Sequence, residues 1–144
     1  NYTTIWMDTV RGGAFGLSNT NKLIRFYSGA TGLKTGFTSG AGYCLSASAM
    51  RDGMELIAVV MGAETSQSRN AACKSLLDYG FANFAVVSPD LSDCDNQIPV
   101  RLGKDAGVSA VPEQDMALLI DKQDDPRRVE VYSALQDLVL AGGR

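Results

Sequence analysis

An Asp-Gly pair between two apolar runs is the feature that most constrains this chain. Asp52 and Gly53 both tolerate positive φ, and such a pair is typical of the two-residue turn of a β-hairpin. Before it, residues 43–50 alternate in character with a period of two, which predicts a strand with one face on a core. After it, residues 54–61 are almost continuously apolar, which favours a central strand buried on both faces. Residues 33–38 predict a third strand, and the three are expected to pair antiparallel.

A helix is predicted to cover this sheet. Thr65 or Ser66 is a suitable N-cap, and residues 72–79 carry apolar side chains at helical spacing. Gly80 is typical of the residue that follows a helix. One more strand is expected at the start of the chain, over residues 2–7, where β-branched and aromatic side chains dominate. An antiparallel sheet with a covering helix places this part of the chain in the α+β class.

The composition changes near residue 86. Acidic turns then separate short apolar runs, and several short strands at this spacing predict a small β-sandwich. The runs lie at residues 98–102, 108–111, 116–120 and 129–132. Residues 131–140 could alternatively form a helix. The expected domains are therefore residues 1–86 and residues 87–144, and for the second the sequence supports only a structural or spacer role.

Charge and the absence of histidine exclude several functional classes. Residues 1–87 carry a net charge of +2 and residues 88–144 a net charge of −5. A slightly basic half suits an anionic substrate, but neither half has the basic field that nucleic-acid binding requires. Without histidine, this chain cannot build a Ser-His-Asp or Cys-His pair or a histidine-containing zinc site. Nucleophilic catalysis here would need a lysine as its base.

The cysteines and the hydropathy narrow the classes further. Cys44, Cys73 and Cys94 have no C-x-x-C spacing, which argues against zinc ribbons and thioredoxin-type chemistry. Cys44 and Cys73 are interpreted as small buried hydrophobes rather than as a disulfide. No secretory signal or membrane-spanning run is apparent, because the apolar run at 56–61 is too short for a bilayer. The chain is expected to be a piece of a longer protein.

Lys34-Thr35-Gly36 lies on the first strand of the predicted sheet and is the main candidate for chemistry. A lysine ammonium beside a threonine hydroxyl offers donors to a carboxylate, each charge-assisted hydrogen bond contributing about 1.5–3 kcal/mol. Gly36 has no Cβ, so a substrate backbone can approach closely. The backbone N–H of Phe37 could then serve a developing oxyanion. The plain alternative is a surface lysine on an edge strand.

The residues around this tripeptide carry a family resemblance. Lys-Thr-Gly is one of three signature motifs of the serine penicillin-recognising enzymes. With Asn-Thr-Asn-Lys-Leu-Ile at 19–24, Gly-Leu-Lys-Thr-Gly-Phe-Thr at 32–38 and Ala-Gly-Tyr-Cys-Leu at 41–45, the chain closely resembles serine-type D-alanyl-D-alanine carboxypeptidases, the low-molecular-mass penicillin-binding proteins. The resemblance extends over about residues 2–85. More weakly, residues 87–144 resemble the β-rich C-terminal domain of these enzymes.

This resemblance implies a function and a set of roles. Family members remove the terminal D-alanine of peptidoglycan pentapeptides through an acyl-enzyme, bind β-lactams, need no cofactor or metal, and work in the cell envelope outside the cytoplasmic membrane. It implies that Lys34 and Thr35 hold the substrate carboxylate and assist proton transfer. Gly36 would give clearance, and the N–H of Phe37 would form half of the oxyanion hole. Arg69 is a further candidate for the carboxylate, with a solvated surface arginine as the alternative.

Two motifs of the family are not found. No serine stands three residues before any lysine, so the Ser-x-x-Lys motif, with its nucleophile and base, is missing. Ser68-Arg69-Asn70 spells the Ser-x-Asn motif, but it follows Lys34-Thr35-Gly36, whereas in the family it precedes Lys-Thr-Gly. We interpret it as a chance match. The chain alone is therefore expected to be inactive.

Two other functional classes stay open. A β-lactamase-like hydrolase would share the Lys-Thr-Gly motif, and a non-catalytic peptidoglycan-binding or scaffold module would bind D-Ala-D-Ala peptides without turnover. Exposed apolar sheet surface in a partial domain is also expected to drive association, as a homodimer or a domain swap.

Overall fold

The computed structural model describes residues 2–89, 91–92, 96–101 and 104–124, together with the backbone of residues 138–139. The chain divides into two compact units, residues 1–85 and residues 86–144. The assignment of the two halves to a catalytic and a C-terminal domain stays a prediction. Cys94 and the apolar run at 129–132 lie outside the described residues.

The first unit opens with a short turn and a hairpin. Residues Tyr2–Thr4 form a 3-10 turn, followed by the antiparallel strands β1 (Met7–Val10) and β2 (Phe15–Ser18) and the one-turn helix α1 (Leu23–Phe26). The strand expected over residues 2–7 is therefore wrong. The hydroxyl of Thr3 donates to the carbonyl oxygen of Thr31 at 2.6 Å, and this contact accompanies a turn rather than a strand.

Three strands form the main sheet in the order in which they follow along the chain. They are β3 (Ala30–Thr38), β4 (Gly42–Arg51) and β5 (Met54–Ala63), and both neighbouring pairs are antiparallel. The predicted two-residue turn is confirmed: Arg51 pairs with Met54, and Asp52 and Gly53 have φ of 48° and 76°.

The core lies on one face of the central strand. Leu45, Ala47 and Ala49 on β4 are at most 1% exposed, as the alternation of that strand predicts, although Ser48 on the opposite face is also buried. The prediction that β5 is central and buried on both faces is wrong. It is the edge strand of the described sheet, and side chains on its outer face, such as Ile57 and Val59, are 67% and 59% exposed.

Helix α2 (Ser66–Asn83) packs on β4 and β5. Its buried stripe consists of residues at i, i+4, i+8 and i+12 with one glycine beside them, namely Arg69, Cys73, Leu77, Gly80 and Phe81. The prediction that Cys73 and Leu77 belong to the apolar face is confirmed, whereas the expected centre of that face was wrong, because Leu76 and Tyr79 are 51% and 64% exposed. The helix also runs past Gly80, which is therefore not its C-terminal cap.

Short strands follow α2. Strand β6 (Phe84–Val87) spans the division between the units, and the second unit contains β7 (Gln97–Arg101), β8 (Gly107–Ser109), β9 (Leu118–Asp121) and β10 (Leu138–Val139). β7 pairs antiparallel with β8 and parallel with β10. Residues 138–139 thus form a strand rather than part of the alternative helix. The closure of these strands into a sandwich stays a prediction.

Candidate active site

The Lys34-Thr35-Gly36 tripeptide lies on β3, which is an edge strand of the sheet. Lys34 pairs with Ser46 and Thr35 with Leu45. Lys34 is exposed and Thr35 half-buried, so both can be reached from solvent. The predicted tripeptide therefore lies on a strand edge and not within the core.

The pleat of β3 separates these two side chains. Consecutive residues of a strand point to opposite faces, and cross-strand partners share a face. Thr35 lies on the face of Leu45, which is the face that packs against α2. Lys34 lies on the opposite face with Ser46, whose partner on β5 is the exposed Val59. The two donors thus flank the strand edge from opposite sides.

Both side chains have hydrogen bonds. The ammonium of Lys34 donates to the carbonyl oxygen of Thr35, with an Nζ to O distance of 2.7 Å. The hydroxyl of Thr35 is 2.7 Å from the hydroxyl of Thr20, and either oxygen can be the donor. Thr20 lies in the loop between β2 and α1. The site therefore includes a hydroxyl from outside the tripeptide.

Gly36 and Phe37 continue the same strand edge. Gly36 pairs with Cys44, and a Cβ placed on Gly36 would lie 3.8 Å from the Cβ of Cys44, which is an ordinary contact distance. Packing with the described residues therefore leaves room for a side chain at position 36. The ring of Phe37 contacts that of Tyr43, with 4.4 Å between centroids. The side chain of Phe37 therefore packs against the neighbouring strand β4.

Arg69 belongs to α2, which begins beside the end of the sheet where the tripeptide lies. Phe37 pairs with Tyr43, Tyr43 pairs with Ala63, and α2 starts three residues after Ala63. Arg69 is only 5% exposed, so the alternative of a solvated surface arginine is wrong. Its Nε and Nη2 both donate to Oδ1 of Asn70, at 3.1 and 2.9 Å.

The Ser68-Arg69-Asn70 triplet serves the helix in this structure. Thr65 is the N-cap: its hydroxyl accepts from the N–H of Ser68 at 3.0 Å, and its own N–H donates to Oγ of Ser68 at 3.2 Å. This reciprocal arrangement is a capping box. Ser68 is thus engaged by its own helix, which agrees with the interpretation of the triplet as a chance match.

The two described cysteines are free thiols, and Cys44 is half-buried, so the interpretation of this residue as buried was wrong. Cys73 is fully buried, and burial raises the pKa of its thiol, while the charge of Arg69 opposes part of this rise. Among the described residues, no group of three or more histidine, cysteine, aspartate or glutamate side chains is arranged to hold a metal ion. In the same part of the chain, no helix is long and apolar enough to cross a membrane.

Sequence reasoning missed two residues of this site, Thr20 and Asn21. Asn21 is fully buried, and its Nδ2 donates to the carbonyl oxygen of Gly32 at 2.9 Å. The signal was present, because amide side chains at 19 and 21 flank a hydroxyl. A polar run of this kind is typical of a turn, and its long-range partners on β3 do not follow from the spacing.

Comparison with known proteins gives matches to D-alanyl-D-alanine carboxypeptidases. The family model described as D-alanyl-D-alanine carboxypeptidase matches residues 2–65. The D-alanyl-D-alanine carboxypeptidase DacF of Bacillus subtilis is 35% identical over 128 residues, a match that covers 88% of this chain and 33% of DacF. The chain therefore spans about a third of the length of this relative.

Solved structures show the same fold. Penicillin-binding protein 5 from Haemophilus influenzae matches with a TM-score of 0.65 at 32% identity, over 83% of this chain and 35% of that protein. Penicillin-binding protein D2 from Listeria monocytogenes, solved in its cefotaxime-bound form, matches with a TM-score of 0.52 at 39% identity, over 55% of this chain and 32% of that protein. The α+β fold expected from the sequence is confirmed, and so is the resemblance of this chain to serine-type D-alanyl-D-alanine carboxypeptidases.

Proposed function

We propose that this chain supplies the substrate-binding strand of a carboxypeptidase that removes the terminal D-alanine of peptidoglycan pentapeptides through an acyl-enzyme. The observation that carries the proposal is the solvent-accessible Lys34-Thr35-Gly36 tripeptide on an edge strand. An edge strand leaves one row of backbone groups free for an extended peptide, and the side chains beside it select the peptide's terminus.

Thr35 and Arg69 are the groups that we assign to the terminal carboxylate. Thr35 lies on the face that packs against α2, and Arg69 lies in the first turns of α2. A guanidinium fork matches the two oxygens of a carboxylate. The two hydrogen bonds from Arg69 to Asn70 keep the guanidinium in one orientation, which lowers the entropy lost when a carboxylate binds.

Lys34, Gly36 and Phe37 are assigned to the reacting carbonyl and its surroundings. Lys34 carries a positive charge on the opposite face of the strand from Thr35 and can assist both carboxylate binding and proton transfer. Gly36 gives clearance, which agrees with the absence of a packing reason for glycine at that position. The N–H of Phe37 would be one donor to the oxyanion.

The chain by itself lacks the nucleophile and the base of this chemistry. No Ser-x-x-Lys is present among its 144 residues, so acylation needs residues that this sequence does not contain. We expect no covalent labelling when the purified chain is incubated with a fluorescent penicillin and analysed by denaturing electrophoresis. Stoichiometric labelling would contradict this expectation.

Selective binding of a free carboxylate is the sharpest test of the site. The chain is titrated with N-acetylated D-Ala-D-Ala and with the C-terminal amide of the same peptide, and backbone amide shifts are followed by NMR. We expect the acid to bind more tightly, with shifts at residues 34–37, because each lost charge-assisted hydrogen bond contributes about 1.5–3 kcal/mol, or roughly ten-fold or more. Equal binding of acid and amide would overturn the assignment.

Substitutions separate the assigned residues. Thr35→Val and Arg69→Gln should both lower acid binding and leave amide binding unchanged, since each removes a donor to the carboxylate. Arg101→Gln is a matched control, because this exposed arginine lies in the second unit. If Arg69→Gln leaves acid binding unchanged, the role of Arg69 is structural.

Two alternatives predict different behaviour. A β-lactamase-like hydrolase would release a penicilloyl group quickly once the complete protein is assayed, whereas a carboxypeptidase releases it slowly and turns over D-Ala-D-Ala peptides. If the protein is a non-catalytic binding module, the complete protein would bind the peptide but release no D-alanine from it.

We place the complete protein outside the cytoplasmic membrane, at its outer face, because its proposed substrate is found there. Protease added to cells stripped of their wall should digest it. Protection from the protease until the membrane is lysed would contradict this location.

Self-association of the isolated chain is the remaining proposal. Ile57, Val59 and Met61 alternate along the edge strand β5 and are 67%, 59% and 74% exposed, so they form one apolar face. A second copy of the chain could cover this face. Light scattering should give a dimer that Val59→Lys converts to a monomer. A monomer at high concentration without the substitution would contradict the proposal.

A further inference from the structure

Thr20 lies outside the three signature motifs of the family, yet its hydroxyl lies 2.7 Å from that of Thr35. The two residues are fifteen positions apart, and the contact joins the loop before α1 to the edge strand β3. A hydroxyl in this place affects the direction in which the hydroxyl of Thr35 donates its hydrogen.

The loop that carries Thr20 is fixed on both sides. Asn19 donates from Nδ2 to the carbonyl oxygens of Thr3 and Ile5, at 3.2 and 3.1 Å. The buried Asn21 donates to the carbonyl oxygen of Gly32 at 2.9 Å. The loop is thus held to its surroundings without help from Thr20, so the bond between the two threonines is not needed for anchoring.

The number of hydrogens available decides which of the two threonines donates in this hydrogen bond. A hydroxyl has one hydrogen to donate and lone pairs with which to accept, whereas a carboxylate only accepts. When Thr35 gives its hydrogen to a substrate carboxylate, the remaining bond to Thr20 requires that Thr20 be the donor. Donation from Thr20 also polarises the hydroxyl of Thr35, which makes it a better donor to the substrate.

We propose that Thr20 is a positioning residue that turns the hydroxyl hydrogen of Thr35 toward the C-terminal carboxylate of the peptide. This inference rests on the proposed function. Thr20 acts through Thr35 and does not touch the substrate. It contributes to the preference for a free carboxylate over an amide, and not to the binding of the rest of the peptide.

The test uses the acid and amide forms of N-acetylated D-Ala-D-Ala on the chain itself. Thr20→Val keeps the shape of the side chain but removes its hydroxyl, and Thr20→Ser restores the hydroxyl. We expect Thr20→Val to lower the acid-to-amide affinity ratio about five-fold, the equivalent of one neutral hydrogen bond, and Thr20→Ser to return it to the original value. Thr9→Val is the matched control, since Thr9 lies on the exposed β1.

A double-mutant cycle completes the test. In a chain that already carries Thr35→Val, Thr20→Val should cause no further loss, because its effect passes through the hydroxyl of Thr35. An acid-to-amide ratio unchanged by Thr20→Val overturns this inference alone, as does an additive loss in the cycle. A parent chain that binds acid and amide equally overturns the proposed function and this inference with it. The ratio is taken within each variant, so a partial loss of folding does not affect it.

Discussion

Tyr27, the residue that follows α1, connects the segment before β3 to helix α2. Its hydroxyl donates to Oδ1 of Asp78 on α2 at 2.7 Å. The guanidinium of Arg51, at the end of β4, lies 4.6 Å from the ring centroids of both Tyr27 and Phe81. Burial, followed by the hydrogen bond to Asp78, raises the pKa of Tyr27 to about 12, and the charge of Arg51 opposes part of this rise.

This raised pKa predicts a loss of stability at alkaline pH. In the unfolded chain Tyr27 loses its proton near pH 10, whereas the folded chain holds the proton until about pH 12. The contribution is therefore complete below pH 10 and is lost as the pH rises toward 12, up to about 2–3 kcal/mol.

Tyr27→Phe should remove this dependence. We expect a cost of about 1 kcal/mol at pH 7, from the lost hydrogen bond, and a shallower fall in stability between pH 10 and 12. Urea unfolding followed by circular dichroism measures both. Every titratable group other than Tyr27 is common to both chains, so the difference between their pH profiles isolates Tyr27. Parallel pH profiles would contradict the prediction.

The sequence did not indicate this cluster. Arg51 appears in the sequence only as the residue before a turn, and Tyr27 only as an aromatic beside a loop. Their meeting with Phe81 depends on the packing of α2 on the sheet, which is a long-range contact. Lys34 and Thr35 could be proposed from the sequence, because the motif to which they belong consists of three consecutive residues.

At the scale of elements, turns and helix caps could be predicted from the sequence, whereas the buried face of a helix and the position of a strand in its sheet could not. The Asp52-Gly53 turn and the Thr65 N-cap follow from residues within four positions of each other. The buried face of α2 does not, because Ala72, Leu76 and Tyr79 offer a second apolar stripe beside the true one. The edge position of β5 also escaped prediction, since a continuous apolar run does not tell how many neighbours a strand has.

The glycines that shape the strand ends give a prediction about β3 and β4. Gly29 has φ of 83°, its carbonyl oxygen accepts from the N–H of Met50 at 2.8 Å, and a Cβ there would overlap the carbonyl oxygen of Met50. Gly53 has φ of 76°, but a Cβ there would meet no atom within 4 Å.

Gly29→Ala should therefore cost more than Gly53→Ala. Both substitutions carry the strain of an L-residue at positive φ, about 1 kcal/mol, and Gly29→Ala adds about 1–3 kcal/mol because the backbone of β4 must move. Urea unfolding at pH 7 gives the two free energies of unfolding. Equal losses would show that the strand ends adjust freely to a Cβ at Gly29.

At the scale of the molecule, every residue assigned to the site belongs to the first unit. Thr20, Lys34, Thr35 and Arg69 all precede residue 86, while the second unit begins at Val86. The change in composition that the sequence shows near residue 86 lies close to this division. The sequence of the second unit contains no comparable motif, which is why only a structural or spacer role was predicted for it.

A chain that ends at residue 87 should keep the preference for the peptide acid. Removal of residues 88–144 takes away a net charge of −5 and leaves +2, so the affinity for an anionic peptide should rise at low salt. At high salt the shortened and full chains should bind equally. The NMR titration described above measures both, and a lost acid preference at high salt would show that the second unit contributes to the site.

The strand order β3-β4-β5 also bears on how quickly the sheet assembles. Each strand of this sheet pairs with the strand that follows it in the chain, across a turn of a few residues. Most strand pairings in the sheet are therefore between residues that are close in sequence. Such topologies close short loops and cross low entropic barriers. We expect the hairpins to form first in refolding, with α2 docking afterwards, so that the strand edge that carries Lys34-Thr35-Gly36 forms before the helix packs on the sheet.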